Sequence, residues 1–175
     1  FAARTRSGIQ VTGETNSVSD FTNAPAVTLV FGKGRSGKTS FVYKYLLNVE
    51  AACIFIYDKA GQAQRRLGLH PAGTAAECEA ALATGCVCFN PHRMFPPQKL
   101  DAAFAWFCTW CLTASKRGPG RKVLFVDELW DECTPHNVPD ELLAVIKGGR
   151  FDALEFIACT HRPREFPIAL RSAVT

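Results

Sequence analysis

The residues Gly32-Lys33-Gly34-Arg35-Ser36-Gly37-Lys38-Thr39 carry chemistry in their spacing. They satisfy the pattern G-x-x-x-x-G-K-[ST] at every fixed position. Phosphate oxygens must meet several backbone N–H groups at close range, and a Cβ obstructs that approach. Glycines at 32, 34 and 37 are therefore expected to let the backbone fold into an anion-binding nest. Lys38 is expected to reach the β- and γ-phosphates of ATP, and the Thr39 hydroxyl to ligate Mg²⁺. The whole loop, including Lys33, Arg35 and Ser36, is expected to line the nucleotide.

A second set of residues completes this chemistry. Val123-Leu124-Phe125-Val126 is an apolar run ending in Asp127-Glu128. Asp127 is placed to hold Mg²⁺, directly or through water. Glu128, one residue on, is placed to polarise a water against the γ-phosphate. A kinase must exclude water and has little use for such a carboxylate; an ATPase needs one. Hydrolysis of ATP to ADP and phosphate, coupled to mechanical work, is the favoured class. The acidic neighbours Asp131 and Glu132 read as a solvated turn, with Glu132 the next candidate for the base.

These groups need a scaffold that brings distant residues together. Ala26–Phe31 reads as a buried strand before the glycine loop. Phe41, Val42, Tyr45, Leu46 and Val49 follow at the spacing of an amphipathic helix. Ala52–Tyr57 is a second buried strand, closed by Asp58-Lys59-Ala60-Gly61. Residues 62–84 read as helical material broken by Gly68, Pro71 and Gly73, and Cys86–Phe89 as a third apolar run. Residues 98–115 give the clearest helix, with Leu100, Ala103, Phe104, Phe107, Cys108, Cys111 and Leu112 on one face. Trp106 and Trp110 flank that face, packed under a neighbouring loop or set at a subunit interface. After the Asp127 strand comes a helix over Asp140–Lys147, expected to stop at Gly148-Gly149. A strand over Leu154–Cys159 then ends in Thr160-His161-Arg162-Pro163, and a further strand is expected to begin at Ala169. Strands separated by helices predict an α/β fold: a doubly wound, mainly parallel sheet with helices on both faces and ligands at the strand C-termini. Residues 1–25 read as an N-terminal arm and 26–175 as one P-loop ATPase domain.

Composition agrees with a globular domain: 175 residues, 47% hydrophobic, 21% charged, net charge +4. The mild positive charge permits an anionic partner without demanding one. No run reaches the roughly 18 apolar residues of a membrane span. Eight cysteines lie largely within apolar runs, where free thiols behave as small hydrophobes and suit a reducing, intracellular setting. Cys108-x-x-Cys111 sits in the apolar stripe of a helix and lacks a second pair at zinc-ribbon spacing. Lys116, Arg117, Arg121 and Lys122 surround Gly118-Pro119-Gly120 as a cationic turn, read as solvated, with contact to a nucleic-acid backbone as the alternative.

With both halves of the site in place, the chain resembles the HerA/FtsK group of ring-forming, DNA-pumping P-loop ATPases over about residues 26–171. Asp127-Glu128 is similar to that group's metal-binding strand end. Cys159-Thr160-His161-Arg162-Pro163 is similar to its sensor segment Ala-Thr-Gln-Arg-Pro, with His161 where the group has Gln. Arg150 stands eleven residues before His161, the spacing of the group's arginine finger. The resemblance implies a RecA-like core, catalytic roles for Lys38, Glu128, Arg150 and His161, and double-stranded DNA as partner. It also implies a homo-oligomeric ring, expected to be a hexamer. A compact member of this kind is most similar to the genome-packaging ATPases of membrane-containing viruses and phages. That similarity implies a capsid or membrane vertex as docking partner, and a host-cytoplasmic or virion-associated location. Three alternatives stand beside it. One is a Zot-like phage assembly or export ATPase. Another is a ParA/MinD-like dimeric switch, to which Lys33, five residues before Lys38, is similar. The third is a nucleotide-binding interaction module without turnover.

Overall fold

The computed structural model describes residues 27–134, 136–161 and Leu170. The predicted N-terminal arm lies outside the described residues. So does the expected strand from Ala169, apart from Leu170, which is helical and buried in the core.

Six strands form one parallel sheet: β1 (Val27–Phe31), β2 (Cys53–Tyr57), β3 (Pro71–Ala72), β4 (Cys86–Phe89), β5 (Lys122–Val126) and β6 (Leu154–Thr160). Their spatial order is β1-β6-β5-β2-β4-β3. Five helices connect them: α1 (Lys38–Asn48), α2 (Gln62–Leu67), α3 (Ala75–Leu82), α4 (Leu100–Ser115) and α5 (Asp140–Gly148). Alternation along the strands divides the core into two layers. Phe55, Tyr57, Val87, Phe89, Leu124, Val126, Phe156 and Ala158 face α3, α4 and α5. Ile56, Cys88, Val123, Phe125, Ile157 and Cys159 face α1 and α2. Both faces are covered, which is why the central strands read as unbroken apolar runs.

Several expectations need correction. The strand before the loop, read as buried, is half-exposed: only Val27 is buried, because β1 is the outer strand of the described sheet. Residues 62–84 are not all helical. Pro71–Ala72 is a two-residue edge strand paired to Cys88 and Phe89; it is too short to show a period, and Pro is tolerated at a sheet edge. Gly148-Gly149 does not stop the helix cleanly: α5 passes into a 3-10 turn over Gly149–Asp152.

The cationic turn is largely engaged within the fold. Arg117 pairs with Glu79, Arg121 with Glu155, and the buried Lys122 donates to the carbonyls of Gly118 and Asp152. Arg121 and Lys122 fasten the N-terminal ends of β5 and β6, and Arg117 ties the turn to α3; both arginines keep a partly exposed side chain. Trp106 lies against Phe89 of β4 and Phe95 of the loop before α4, whereas Trp110 meets Phe55 of β2 edge-on and donates its indole N–H to Glu79 of α3. Cys108 and Cys111 are fully buried beneath α4, and burial pushes both thiols well up.

Candidate nucleotide-binding site

In a parallel sheet all strand C-termini open on one edge. Here that edge gathers the glycine loop after β1, Asp58 after β2, Asp127 and Glu128 after β5, and His161 after β6. Because β6 lies between β1 and β5, His161 emerges between the loop and the acidic pair.

Each loop residue has a local reason for its place. A Cβ on Gly32 would stand 2.5 Å from Ser36 Oγ and 3.2 Å from Lys38 Cγ, so any other residue requires those side chains to shift. Gly37 holds φ at 85°, in the left-handed region. Gly34 has neither need: a Cβ there meets nothing within 4 Å, and the residue at positive φ is its neighbour Arg35, at 59°. The expected nest thus depends on Gly32, Arg35 and Gly37. Lys33, Arg35 and Ser36 are exposed on the loop. Gly37 immediately precedes α1, so the first N–H groups of an eleven-residue helix point into the loop. Lys38 is buried at 9% exposure and curls back, donating to the carbonyls of Gly32 at 2.9 Å and Lys33 at 3.1 Å.

Thr39 Oγ1 donates to Asp127, 3.1 Å from both carboxylate oxygens. Burial, with the charge of Glu128, pushes the Asp127 carboxyl above the usual range, against the opposing hydrogen bond from Thr39 and charge of Lys38. Negative field at this corner is also felt by Tyr43. Its buried hydroxyl has no hydrogen-bond partner among the described residues, and burial, Asp58 and Asp127 together drive its pKa far up. A hydroxyl and a desolvated carboxylate converging on one point are the donors a hard divalent cation takes, and a cation relieves the cost of the carboxylate charge. The residues present therefore fit Mg²⁺.

Glu128 has left-handed backbone at φ 53° and ψ 53°. For a residue with a Cβ this costs about 1–2 kcal/mol. Its Oε2 lies 2.9 Å from His161 Nδ1, and both side chains are partly exposed, at 42% and 38%. Arg150 is not with these groups. It precedes β6, at the opposite edge of the sheet, about 20 Å away at the rise of a seven-residue strand. There its guanidinium covers the ring of Phe151 at 4.7 Å.

Two residues at this edge have surroundings that the sequence reading did not foresee. Asp58, 3% exposed, accepts from the N–H groups of Gln62 at 2.7 Å and Gln64 at 3.0 Å, capping α2 beside the site. Glu132, expected in a solvated turn, has a side chain only 1% exposed and is ion-paired to Lys59 at 2.8 Å. A strand ending in Asp58-Lys59 was the available signal for both.

The fold is an α/β sheet of RecA-like type, with a loop of the P-loop pattern at the C-terminal edge of its strands. B204, the DNA-packaging ATPase of Sulfolobus Turreted Icosahedral Virus, superimposes with a TM-score of 0.65 at 17% identity, over 87% of this chain and 73% of that one. The genome packaging NTPase B204 of Sulfolobus turreted icosahedral virus 2 matches with a TM-score of 0.63 in complex with ATP-gammaS and 0.64 with AMPPCP, each at 16% identity, over 87% of this chain and 72% of that one. At such identities the likeness establishes the fold. No known family profile and no curated protein sequence matches the chain.

The raised Asp127 carboxyl sets a stability prediction. A group whose folded pKa lies above its unfolded one binds protons more tightly when folded, so its contribution falls as pH rises through that window. Asp127→Asn removes the desolvated charge and is expected to raise the thermal midpoint of the nucleotide-free protein at pH 7.5. Differential scanning calorimetry with and without Mg²⁺-ADP checks it: the variant should also lose the stabilisation that Mg²⁺ adds to ADP.

Proposed function

We propose that the protein is a Mg²⁺-dependent ATPase that translocates double-stranded DNA as a homo-oligomeric ring and packages a viral genome. One observation carries the reading: a phosphate loop, a hydroxyl–carboxylate pair suited to Mg²⁺ and a carboxylate base meet at one sheet edge, on the fold of a DNA-packaging ATPase.

The residues divide the work as follows. The α1 N-terminus and the loop from Gly32 to Thr39 bind the phosphates. Lys38 exchanges the carbonyls of Gly32 and Lys33 for the β- and γ-phosphate oxygens, leaving behind neutral acceptors. Thr39 and Asp127 hold Mg²⁺, which supplies positive charge to the phosphate oxygens. Glu128 takes the proton of the attacking water. His161, projecting between the loop and Glu128, holds that carboxylate and offers an N–H to the γ-phosphate. Unlike the amide of a Gln, its imidazole can also carry charge.

Arg150 is too far from the site of its own subunit to touch the phosphates there. Its place at the opposite sheet edge, exposed beside an exposed Phe151, suits a finger that enters the nucleotide site of a neighbouring copy. The ring is a hexamer in this reading, delivering DNA at a capsid or membrane vertex.

The direct test is ATP hydrolysis with and without double-stranded DNA. Wild-type protein should hydrolyse ATP, faster with DNA, and Lys38→Ala should abolish both binding and turnover. Binding without turnover under either condition contradicts the reading.

The finger is tested by mixing. Arg150→Ala should bind ATP normally and lose about 10³-fold in rate. Mixed with Lys38→Ala subunits, it should recover part of the activity that neither variant has alone, read as phosphate release. Normal hydrolysis by Arg150→Ala, or no rescue in rings shown to be mixed, removes the finger.

A further inference from the structure

Glu132 is an unusual residue to bury. Its side chain is 1% exposed, four residues beyond Glu128, at the end of the turn that Glu128 begins. That turn is closed tightly. Asp131 N–H donates to Glu128 O at 2.9 Å, and Glu132 and Cys133 N–H both donate to Leu129 O. Leu129 and Cys133 plug its underside into the core. None of these contacts involves the Glu132 side chain, which reaches away from the turn to the end of β2.

Just beyond β2 the carboxylate has one hydrogen-bonded partner: Lys59 donates to Oε1 at 2.8 Å. Glu132 Oε2 and the Tyr57 hydroxyl are both buried without a hydrogen-bond partner among the described residues. Burial, and after it the charge of the Glu132 carboxylate, drive the Tyr57 pKa far up. Burial raises the Glu132 carboxyl above the usual range, against the opposing contact with Lys59. A carboxylate desolvated this far is costly, and a solvated turn would not need it. It is not placed to be a second base, because it is sealed from water and committed to Lys59.

We propose that Glu132, held by Lys59, is a positioning residue for hydrolysis. By clamping the far end of the turn to β2, it keeps Glu128 in its left-handed backbone and so fixes the direction of the Glu128 carboxylate. Left-handed backbone at a residue with a Cβ persists only where the surroundings over-determine it. The clamp supplies that constraint from a different strand, so the base is oriented by β2 as well as by β5. This rests on the reading of Glu128 as the base.

The test is a double-variant cycle on the full chain, with kcat and KM for Mg²⁺-ATP and the Kd of a non-hydrolysable ATP analogue as readouts. Glu132→Ala should lower kcat by about 10-fold or more with the analogue Kd unchanged. Glu132→Gln, whose carbonyl still accepts from Lys59, should retain most of the rate. In the Glu128→Gln background Glu132→Ala should cause no further loss, because its effect passes through Glu128. Lys59→Met, at a partly exposed position, should reproduce the Glu132→Ala pattern and serves if the alanine variant fails to fold. Wild-type kcat in both Glu132→Ala and Lys59→Met overturns the proposal. So does an equal fractional loss with and without the Glu128 carboxylate, which would mark general damage. A Glu128→Gln single variant with normal turnover rejects the base assignment itself, and is distinguishable because the failure precedes any change at Glu132.

Discussion

The contact between the Thr39 hydroxyl and the Asp127 carboxylate is the constraint on which the site depends. The two residues are 88 positions apart, and their strands are not neighbours, since β6 lies between β1 and β5. The contact closes over the end of β6, so whatever follows that strand must project into the gap. This places His161 against Glu128. The parallel pairing of β1 with β6 and of β6 with β5 sets the levels of the three strand ends: Phe31 pairs with Thr160, and Val126 with Ala158. A slip of one residue would turn the strand residues to the opposite layer of the core.

The electrostatics follow from the same closure. Two chain segments meeting at Asp127 bury its carboxylate, and burial raises the cost of its charge. Lys38 lies nearby but satisfies itself on loop carbonyls. The protein alone therefore holds a cation turned back on its own backbone and a desolvated anion, a pair that suits the proposed binding of Mg²⁺ with a phosphate chain. The cost is offset by two well-filled layers, and the ring cluster of Tyr57, Phe89, Phe104 and Phe107 lies directly under the β2 end of the site.

The sheet was legible because its central strands are short apolar runs bounded by glycines and polar residues, and α4 because its apolar face repeats without a break over four turns. Short elements were not: Pro71–Ala72 has no period, and its strand character comes wholly from its pairing to β4. Residues of the site were legible where backbone geometry restricts the residue type, as at Gly32 and Gly37. They were illegible where a common residue acquires its role from burial. Nothing local separates Glu132 from Asp131, which is exposed; only burial against the core and the tertiary approach of Lys59 do. Arg117, Arg121 and Lys122 likewise read as a solvated cluster because Glu79, Glu155 and the Asp152 carbonyl, which engage them, come from distant segments. Arg150 was legible by spacing, but its position at the far edge of the sheet is a fact of topology.

The central claim is that Thr39 and Asp127 form one cation site coupled to the phosphate loop. The most direct measurement is the affinity of a fluorescent, non-hydrolysable ATP analogue for wild-type, Thr39→Ala and Asp127→Ala proteins, each with Mg²⁺ and with EDTA. Mg²⁺ should strengthen binding to the wild type. In both variants that gain should vanish while the affinity in EDTA stays close to wild type. An undiminished Mg²⁺ gain in either variant would contradict the account.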